Sequence, residues 1–157
     1  MTAPRAARVL VVEDEVVIAI LAQQVLEEAG LEVVGVAGSE HGALVLAALT
    51  HPTHALVDVK LAPGDGRVVA RALGAQDCAV VYCTAWVSTV LHDPSAAPGL
   101  AMAKPYDPED IILALHAARR LADGEQGVAL PHGMVRVGGD QGAGDRTSAR
   151  VGAPGPR

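Results

Sequence analysis

The chain has 157 residues, a formal net charge of −6 and an apolar fraction of 50%, which together indicate one domain, or one domain and a tail. Phe is absent and aromatic residues make up only 2%, so we expect a core of Val, Leu, Ile and Ala, a composition that suits strands buried on both faces. The acidic balance argues against a nucleic-acid partner, which would require a basic stripe.

The N-terminal segment and the cysteines favour a cytoplasmic protein. "MTAPRAAR" leads into a short apolar run that stops at three acids, so we expect neither a secretory signal nor a membrane span. Cys78 and Cys83 lie in one apolar run, and on a strand their Cα atoms would be roughly 16 Å apart, too far for a disulfide. We therefore expect buried free thiols, a cytoplasmic location and no membrane partner.

Apolar runs alternate with helical patterns along most of the chain. We predict strands at residues 8–12, 31–37, 54–58, 78–83 and 100–103, and helices at residues 16–29, 41–49, 67–73 and 108–121, with about two turns around 86–92. Asp65 is predicted to be a turn residue and helix cap rather than a ligand. Five strand–helix alternations predict an α/β fold with a doubly wound, five-stranded parallel sheet.

The composition changes at residue 123. Gly, Pro and scattered polar residues dominate from there to residue 157, apart from the short sequence "GMVRVGG" around residue 135. We predict one domain at residues 7–122 and a disordered or loosely attached tail at residues 123–157, with no second core and hence no output domain.

Polar residues follow four of the predicted strands, at the edge where parallel strands place their carboxyl ends. They are Glu13 and Asp14, Asp58, Thr84, and Lys104. Three acids at one edge repel one another unless a cation lies between them, and Mg²⁺ prefers carboxylate, carbonyl and water ligands. A hydroxyl and an ammonium nearby suit phosphoryl oxygens. The pattern predicts that the Asp58 carboxylate accepts a phosphoryl group with help from Mg²⁺.

These residues also have a purely structural interpretation. The acids after the first strand can simply favour a helix N-terminus, Thr84 can be an ordinary strand residue, and Lys104 can be a solvated lysine. The chain has only two lysines, however, and both Lys60 and Lys104 fall at predicted strand ends on the same edge, which favours function. The six histidines show no metal-binding spacing, and we assign them no role.

Four segments in this order and spacing resemble the receiver domain of two-component response regulators. They are "VLVVEDE", "ALVDVKLAPGDG", "VVYCTAW" and "MAKPY", and the resemblance covers about residues 7–122. It implies a flavodoxin-like fold with strand order 2-1-3-4-5, for which the chemotaxis receiver is a standard example.

The resemblance also implies a metal site and a phosphoacceptor. Asp58 matches the phosphoacceptor and a metal ligand, Asp14 matches the direct Mg²⁺ ligand, and Glu13 matches its neighbour, which acts through water. The backbone carbonyl of Lys60 would complete the metal shell. The implied cofactor is Mg²⁺.

The same resemblance assigns roles in phosphoryl binding. Thr84 would hydrogen-bond the phosphoryl group, and Lys104 would pair with it, with Pro105 following a cis peptide bond. The implied partners are a sensor histidine kinase or a phosphotransfer protein, together with an unidentified protein target.

The chain departs from the family pattern around the fourth helix. Many receivers carry Tyr or Phe three residues before the Lys, where this chain has Ala101, which cannot serve as an aromatic switch. "YCTAW" is similar to the Phe-Ala-Thr-Gly-Tyr-like stretch of a subgroup of alphaproteobacterial single-domain receivers. We hypothesise that Lys60 and Trp86 restrict water and slow dephosphorylation, and that phosphorylation orders the loop from Trp86 to Gly99.

The sequence therefore predicts a stand-alone response regulator that is phosphorylated on Asp58 and is not a turnover enzyme. One alternative is a phosphate sink that competes for a kinase. Another is a Mg²⁺-dependent phosphatase with an aspartyl nucleophile, although such enzymes carry a second acid where this chain has Lys60, and a capping insertion that the chain lacks. A receiver that serves only as a binding module is disfavoured by the intact set of acids, Thr and Lys.

Overall fold

The computed structural model describes residues 6–138, in which six strands form one sheet with helices on both faces. The strands are β1 (Arg8–Val12), β2 (Glu32–Ala37), β3 (His54–Asp58), β4 (Ala79–Thr84), β5 (Gly99–Ala103) and β6 (Met134–Val137). The helices are α1 (Val16–Glu28), α2 (Glu40–Thr50), α3 (Gly66–Gly74), α4 (Val87–Leu91) and α5 (Pro108–Ala122). All ten predicted elements are present, and α4 is as short as the sequence indicates.

The sheet has the order β2-β1-β3-β4-β5-β6. The first five strands pair in parallel, so the predicted flavodoxin-like fold and the order 2-1-3-4-5 are confirmed. Side chains of α1 and α5 pack in one hydrophobic core on one face, and those of α2, α3 and α4 pack in the other core. Because β3 and β4 are covered on both faces, both strands are buried along their whole length.

The prediction of five strands and of a disordered tail from residue 123 is wrong for residues 134–137. These residues form β6, which pairs antiparallel with β5. Met134 packs in the core on the α1 and α5 side, whereas Val137 packs in the core on the other side. The strand forms because β5 would otherwise leave a free apolar edge, and four residues with three apolar side chains suffice to cover it. Residues 1–5 and 139–157, including most of the predicted tail, lie outside the described part of the chain.

Local hydrogen bonds explain where two of the helices begin. Asp65 is the N-cap of α3, and its side chain accepts a hydrogen bond from Arg67 N at 2.8 Å, as the sequence predicts. Asp107 and Asp110 form a capping box at the start of α5, with Pro108 in the first turn. No helix within residues 6–138 is both long enough and apolar enough to cross a membrane.

Candidate functional site

Three carboxylates meet at the carboxyl edge of the sheet. Glu13 follows β1 directly, Asp14 precedes α1, and Asp58 is the last residue of β3, the neighbour of β1. One oxygen atom from each of these residues lies within 4.8 Å of the others. Glu13 and Asp58 are buried, and Asp14 is partly exposed. The parallel register therefore produces the acid cluster that the sequence predicts.

Lys104 links two of these acids. Its Nζ donates to Glu13 Oε2 at 3.0 Å and to Asp58 Oδ2 at 3.1 Å, and the side chain is only one-fifth exposed. The position follows from the sheet, because Lys104 comes directly after β5 and its backbone N–H donates to Thr84 O at the end of β4. Lys104 and Thr84, for which the sequence also allowed a solvated lysine and an ordinary strand residue, thus lie at the ends of adjacent strands and are joined by a backbone hydrogen bond.

The charges of the site are suited to a divalent cation. Burial lowers the pKa of Lys104, but the carboxylates of Glu13 and Asp58 outweigh it and leave that pKa raised. Burial raises the pKa of Glu13, and the hydrogen bonds from Glu15 N and Lys104 only partly offset this effect. Three carboxylates therefore face one ammonium, and hard oxygen ligands of this kind suit Mg²⁺. These acids could hold the ion, which would neutralise charge on a transferring phosphoryl group.

Thr84 ends β4 one residue after Cys83, the register partner of Asp58, and is buried. Its Oγ1 accepts a hydrogen bond from Trp86 N at 3.0 Å, so its own hydroxyl hydrogen is free to be donated elsewhere. The side chain of Trp86 is exposed. Thr84 therefore occupies a position from which a hydroxyl could donate to an oxygen bound near Asp58, and Trp86 lies at the rim.

The loop between β3 and α3 closes tightly on the site. Lys60 N donates to Asp58 Oδ1 at 3.2 Å, and Ala62 N donates to Asp14 Oδ2 at 3.2 Å. Gly66 begins α3 against the end of β3, where an added Cβ would lie 1.9 Å from Asp58 O, so only glycine fits there. The backbone of Lys60 thus lies beside the acids, while its side chain is exposed. Its role as a carbonyl ligand stays a prediction.

The loop between α4 and β5 is anchored by side chains. Tyr82, buried in β4, donates from its hydroxyl to Ala97 O at 2.7 Å. Arg67 bridges Asp65 and Asp93, with Nη1 donating to Asp93 Oδ2 at 3.3 Å. The hypothesis that phosphorylation orders this loop stays a prediction.

The described residues support the interpretation of both cysteines as structural. Cys78 and Cys83 are free and buried. Burial raises the pKa of the Cys78 thiol to about 12 and also raises that of Cys83, so neither is a ready nucleophile at neutral pH.

One feature that the sequence analysis missed is an apolar surface beside the site. Val16 and Val17 are each 70% exposed, and Ile20 and Leu21 are at least half exposed. Next to them, a groove of about 390 Å³ runs between α1 and α5 and is bordered by Lys104, Pro105 and Tyr106. The sequence does indicate this surface. Residues 16–22 are all apolar, and a helix with one buried face requires fewer apolar residues than this.

Comparison with known proteins agrees with this geometry. The family model for the response regulator receiver domain matches residues 9–116. Transcriptional regulatory protein PdtaR of Mycobacterium tuberculosis is 36% identical over 115 residues, which cover 71% of this chain and 56% of that protein. The chain thus spans little more than half the length of the curated relatives that it matches.

Two solved structures illustrate the similarity of the fold. The response regulator PhyR from Brucella abortus aligns with a TM-score of 0.62 and 28% identity, over 76% of this chain and 49% of that one. The signal receiver domain of a modulated diguanylate cyclase from Desulfovibrio desulfuricans G20 aligns with a TM-score of 0.66 and 28% identity, over 75% of this chain and 97% of that one.

Proposed function

Because the chain belongs to the response regulator receiver domain family, we propose that Asp58 accepts a phosphoryl group from a phosphohistidine of a sensor histidine kinase or phosphotransfer protein. The observation that carries this proposal is the contact of Asp58 with Lys104, within a group of three carboxylates. An oxygen of the Asp58 carboxylate forms the new bond to phosphorus. The bond from phosphorus to the donor imidazole breaks, and its electron pair returns to that nitrogen.

The neighbouring residues support each part of this transfer. Glu13, Asp14 and Asp58 would hold Mg²⁺ together with the Lys60 carbonyl, and the bound ion would offset negative charge on the phosphoryl oxygens. Lys104 would move from its bond with Asp58 Oδ2 to a phosphoryl oxygen.

Thr84 has its hydroxyl hydrogen available for a second phosphoryl oxygen. The site lacks a separate acid two residues after Asp58, where Lys60 stands. We therefore infer that the chain catalyses only its own phosphorylation and dephosphorylation, and does not turn over phosphate esters.

We propose that the signal passes through protein partners in the cytoplasm. The exposed apolar residues of α1 are next to Asp14, so a helical phosphodonor that packed there could present its histidine to Asp58.

A regulator needs a target that prefers one phosphorylation state, whereas a phosphate sink needs only rapid phosphoryl flow. Capture of a target by the phosphorylated protein, but not by Asp58→Asn, would favour the regulator.

Incubation with acetyl phosphate and Mg²⁺, followed by intact mass measurement, tests the central step. We expect one acid-labile phosphoryl group per chain, which disappears in Asp58→Asn and when Mg²⁺ is chelated. Absence of the adduct, or its persistence in Asp58→Asn, contradicts the proposal.

A further inference from the structure

Glu40 binds the loop between β3 and α3 through two hydrogen bonds. It is the first residue of α2, and its Oε2 accepts a hydrogen bond from Asp65 N at 2.8 Å. Its backbone N–H points to the same loop and donates to Pro63 O at 3.4 Å. A single residue of α2 therefore binds two successive parts of the loop that follows the phosphoacceptor.

The packing at Gly64 shows how closely the loop approaches Glu40. A Cβ added to Gly64 would lie 2.3 Å from Glu40 Cβ and 2.7 Å from Glu40 Oε2. The φ angle of Gly64 is +113°, a conformation that other residues rarely adopt. The loop can thus lie against the Glu40 side chain only because position 64 has no side chain.

The segment that Glu40 holds is paired with the part of the loop that contacts the site acids. Asp65 forms an antiparallel bridge with Lys60, whose backbone N–H donates to Asp58 Oδ1. Between them, Ala62 N donates to Asp14 Oδ2. The loop therefore has hydrogen bonds both to Glu40 and to two of the site carboxylates.

We propose that Glu40 is a positioning residue for the cation site: it fixes the loop so that the Lys60 carbonyl and the Asp14 and Asp58 carboxylates are arranged for Mg²⁺. This inference rests on the proposed function. Glu40 itself is not one of the three clustered carboxylates. It acts through Asp65, in the way that residues outside the coordination shell orient the ligands inside it.

An effect of the Glu40 charge alone can be distinguished from an effect on the position of the loop. The Glu40 carboxylate adds negative potential near the site, which would attract a cation whatever the loop does. Glu40→Gln removes the charge and keeps an oxygen that can accept from Asp65 N, whereas Glu40→Ala removes both. Glu109→Ala removes an exposed acid in the first turn of α5, outside this loop and outside the acid cluster, and serves as the matched control.

Calorimetric titration of the full chain with Mg²⁺ tests the inference. We expect Glu40→Ala to weaken Mg²⁺ affinity about tenfold, the scale seen when outer-shell partners of a metal site are removed. Glu40→Gln and Glu109→Ala should stay close to the wild type. Gly64→Ala, which forces the loop away from Glu40, should weaken affinity as Glu40→Ala does. Thermal unfolding without Mg²⁺ establishes that each variant is folded at the titration temperature.

The outcomes separate this inference from the proposed function. Wild-type affinity in Glu40→Ala overturns positioning, and an equal loss in Glu40→Gln and Glu40→Ala assigns the effect to charge and also overturns it. Failure of the wild type to bind Mg²⁺ would instead contradict the proposed function itself. Amide exchange over residues 60–65 gives a second readout, which should rise in Glu40→Ala and not in Glu40→Gln.

Discussion

The Lys104 ammonium lies 3.1 Å from Asp58 Oδ2 and 3.0 Å from Glu13 Oε2, so one cation joins residues that are 46 and 91 positions away in the chain. It occupies carboxylate oxygens that a divalent ion would also use. A bound Mg²⁺ would therefore share these carboxylates with Lys104, and we expect the ammonium to weaken Mg²⁺ binding before phosphorylation.

We expect Lys104→Met to raise Mg²⁺ affinity about tenfold, which corresponds to about 1.4 kcal/mol, because a positive charge beside the ion is removed. The same variant should lose most phosphorylation by acetyl phosphate, because no ammonium remains for the phosphoryl oxygens. Lys104→Arg, which keeps the charge, is the control for affinity. Titration followed by the fluorescence of Trp86, the one tryptophan of the chain, gives the measurement. Unchanged or weaker Mg²⁺ binding in Lys104→Met would contradict the expectation that the Lys104 ammonium weakens Mg²⁺ binding.

Trp86→Ala should shorten the half-life of the phosphoryl group severalfold without a change in stability. The indole ring is 72% exposed and buries little surface, so the free energy of unfolding should change by less than about 0.5 kcal/mol. It lies at the rim beside Thr84, where it could exclude water from Asp58. Leu91→Ala, at the far end of α4 and also exposed, is the control. The phosphoryl lifetime is measured by intact mass after removal of acetyl phosphate, and equal lifetimes would rule out shielding.

Ile20→Glu should impair phosphoryl transfer from a protein donor at least about tenfold, because a buried charge at a helix interface costs more than 1.4 kcal/mol. Phosphorylation by acetyl phosphate should be unchanged, since Ile20 is more than half exposed on α1 and is not one of the clustered acids. Val45→Glu, on the exposed side of α2, is the matched control. The measurement is radiolabel transfer from a purified histidine kinase that phosphorylates the wild type. Equal losses with both donors would indicate damage to the site instead.

The sequence predicts the site better than it predicts the edges of the fold. Asp58, Thr84 and Lys104 could be located because each directly follows or ends a strand, and parallel strands bring such positions to one edge. β6 could not be predicted, because four residues in a Gly-rich segment have no periodicity and are strand only through pairing with β5.

The proposed role of Glu40 could not be predicted from the sequence either. Its partner Asp65 is 25 positions away, and the contact depends on how α2 and the loop after β3 pack together. The cap at Asp65 itself could be predicted, because it is a local hydrogen bond to Arg67.

Val137→Asp should lower the free energy of unfolding by about 3 kcal/mol, because it places an unpaired charge in the core at the end of β6. Val137 is 2% exposed, whereas Val135 on the same strand is 39% exposed. Val135→Asp is therefore the matched control and should change stability by less than about 1 kcal/mol. Urea unfolding followed by circular dichroism provides both values. Equal effects of the two substitutions would show that β6 contributes no buried contact to the domain.

Protonation of His54 should make stability fall as the pH is lowered. His54 is buried at the start of β3, and burial, aided by the positive charges of Arg119 and His116, lowers its pKa from 6.5 to about 4. Between these values the unfolded chain binds a proton that the folded chain does not, so the folded state loses stability as the pH falls. From about pH 7 to about pH 5.5 the expected loss due to His54 is about 1 kcal/mol.

The variant His54→Asn should lack this part of the pH dependence, whatever its stability at neutral pH. His41→Gln, which removes an exposed histidine on α2, should keep it. Urea unfolding of the three proteins across this pH range gives the difference directly, because the titration of all other groups is common to them. A wild-type slope in His54→Asn would contradict the prediction, because it would mean that the pKa of His54 is the same in the folded and unfolded chains. The folded protein would then accommodate the charged ring, with His54 Nδ1 donating to Thr53 Oγ1 across the 2.7 Å contact.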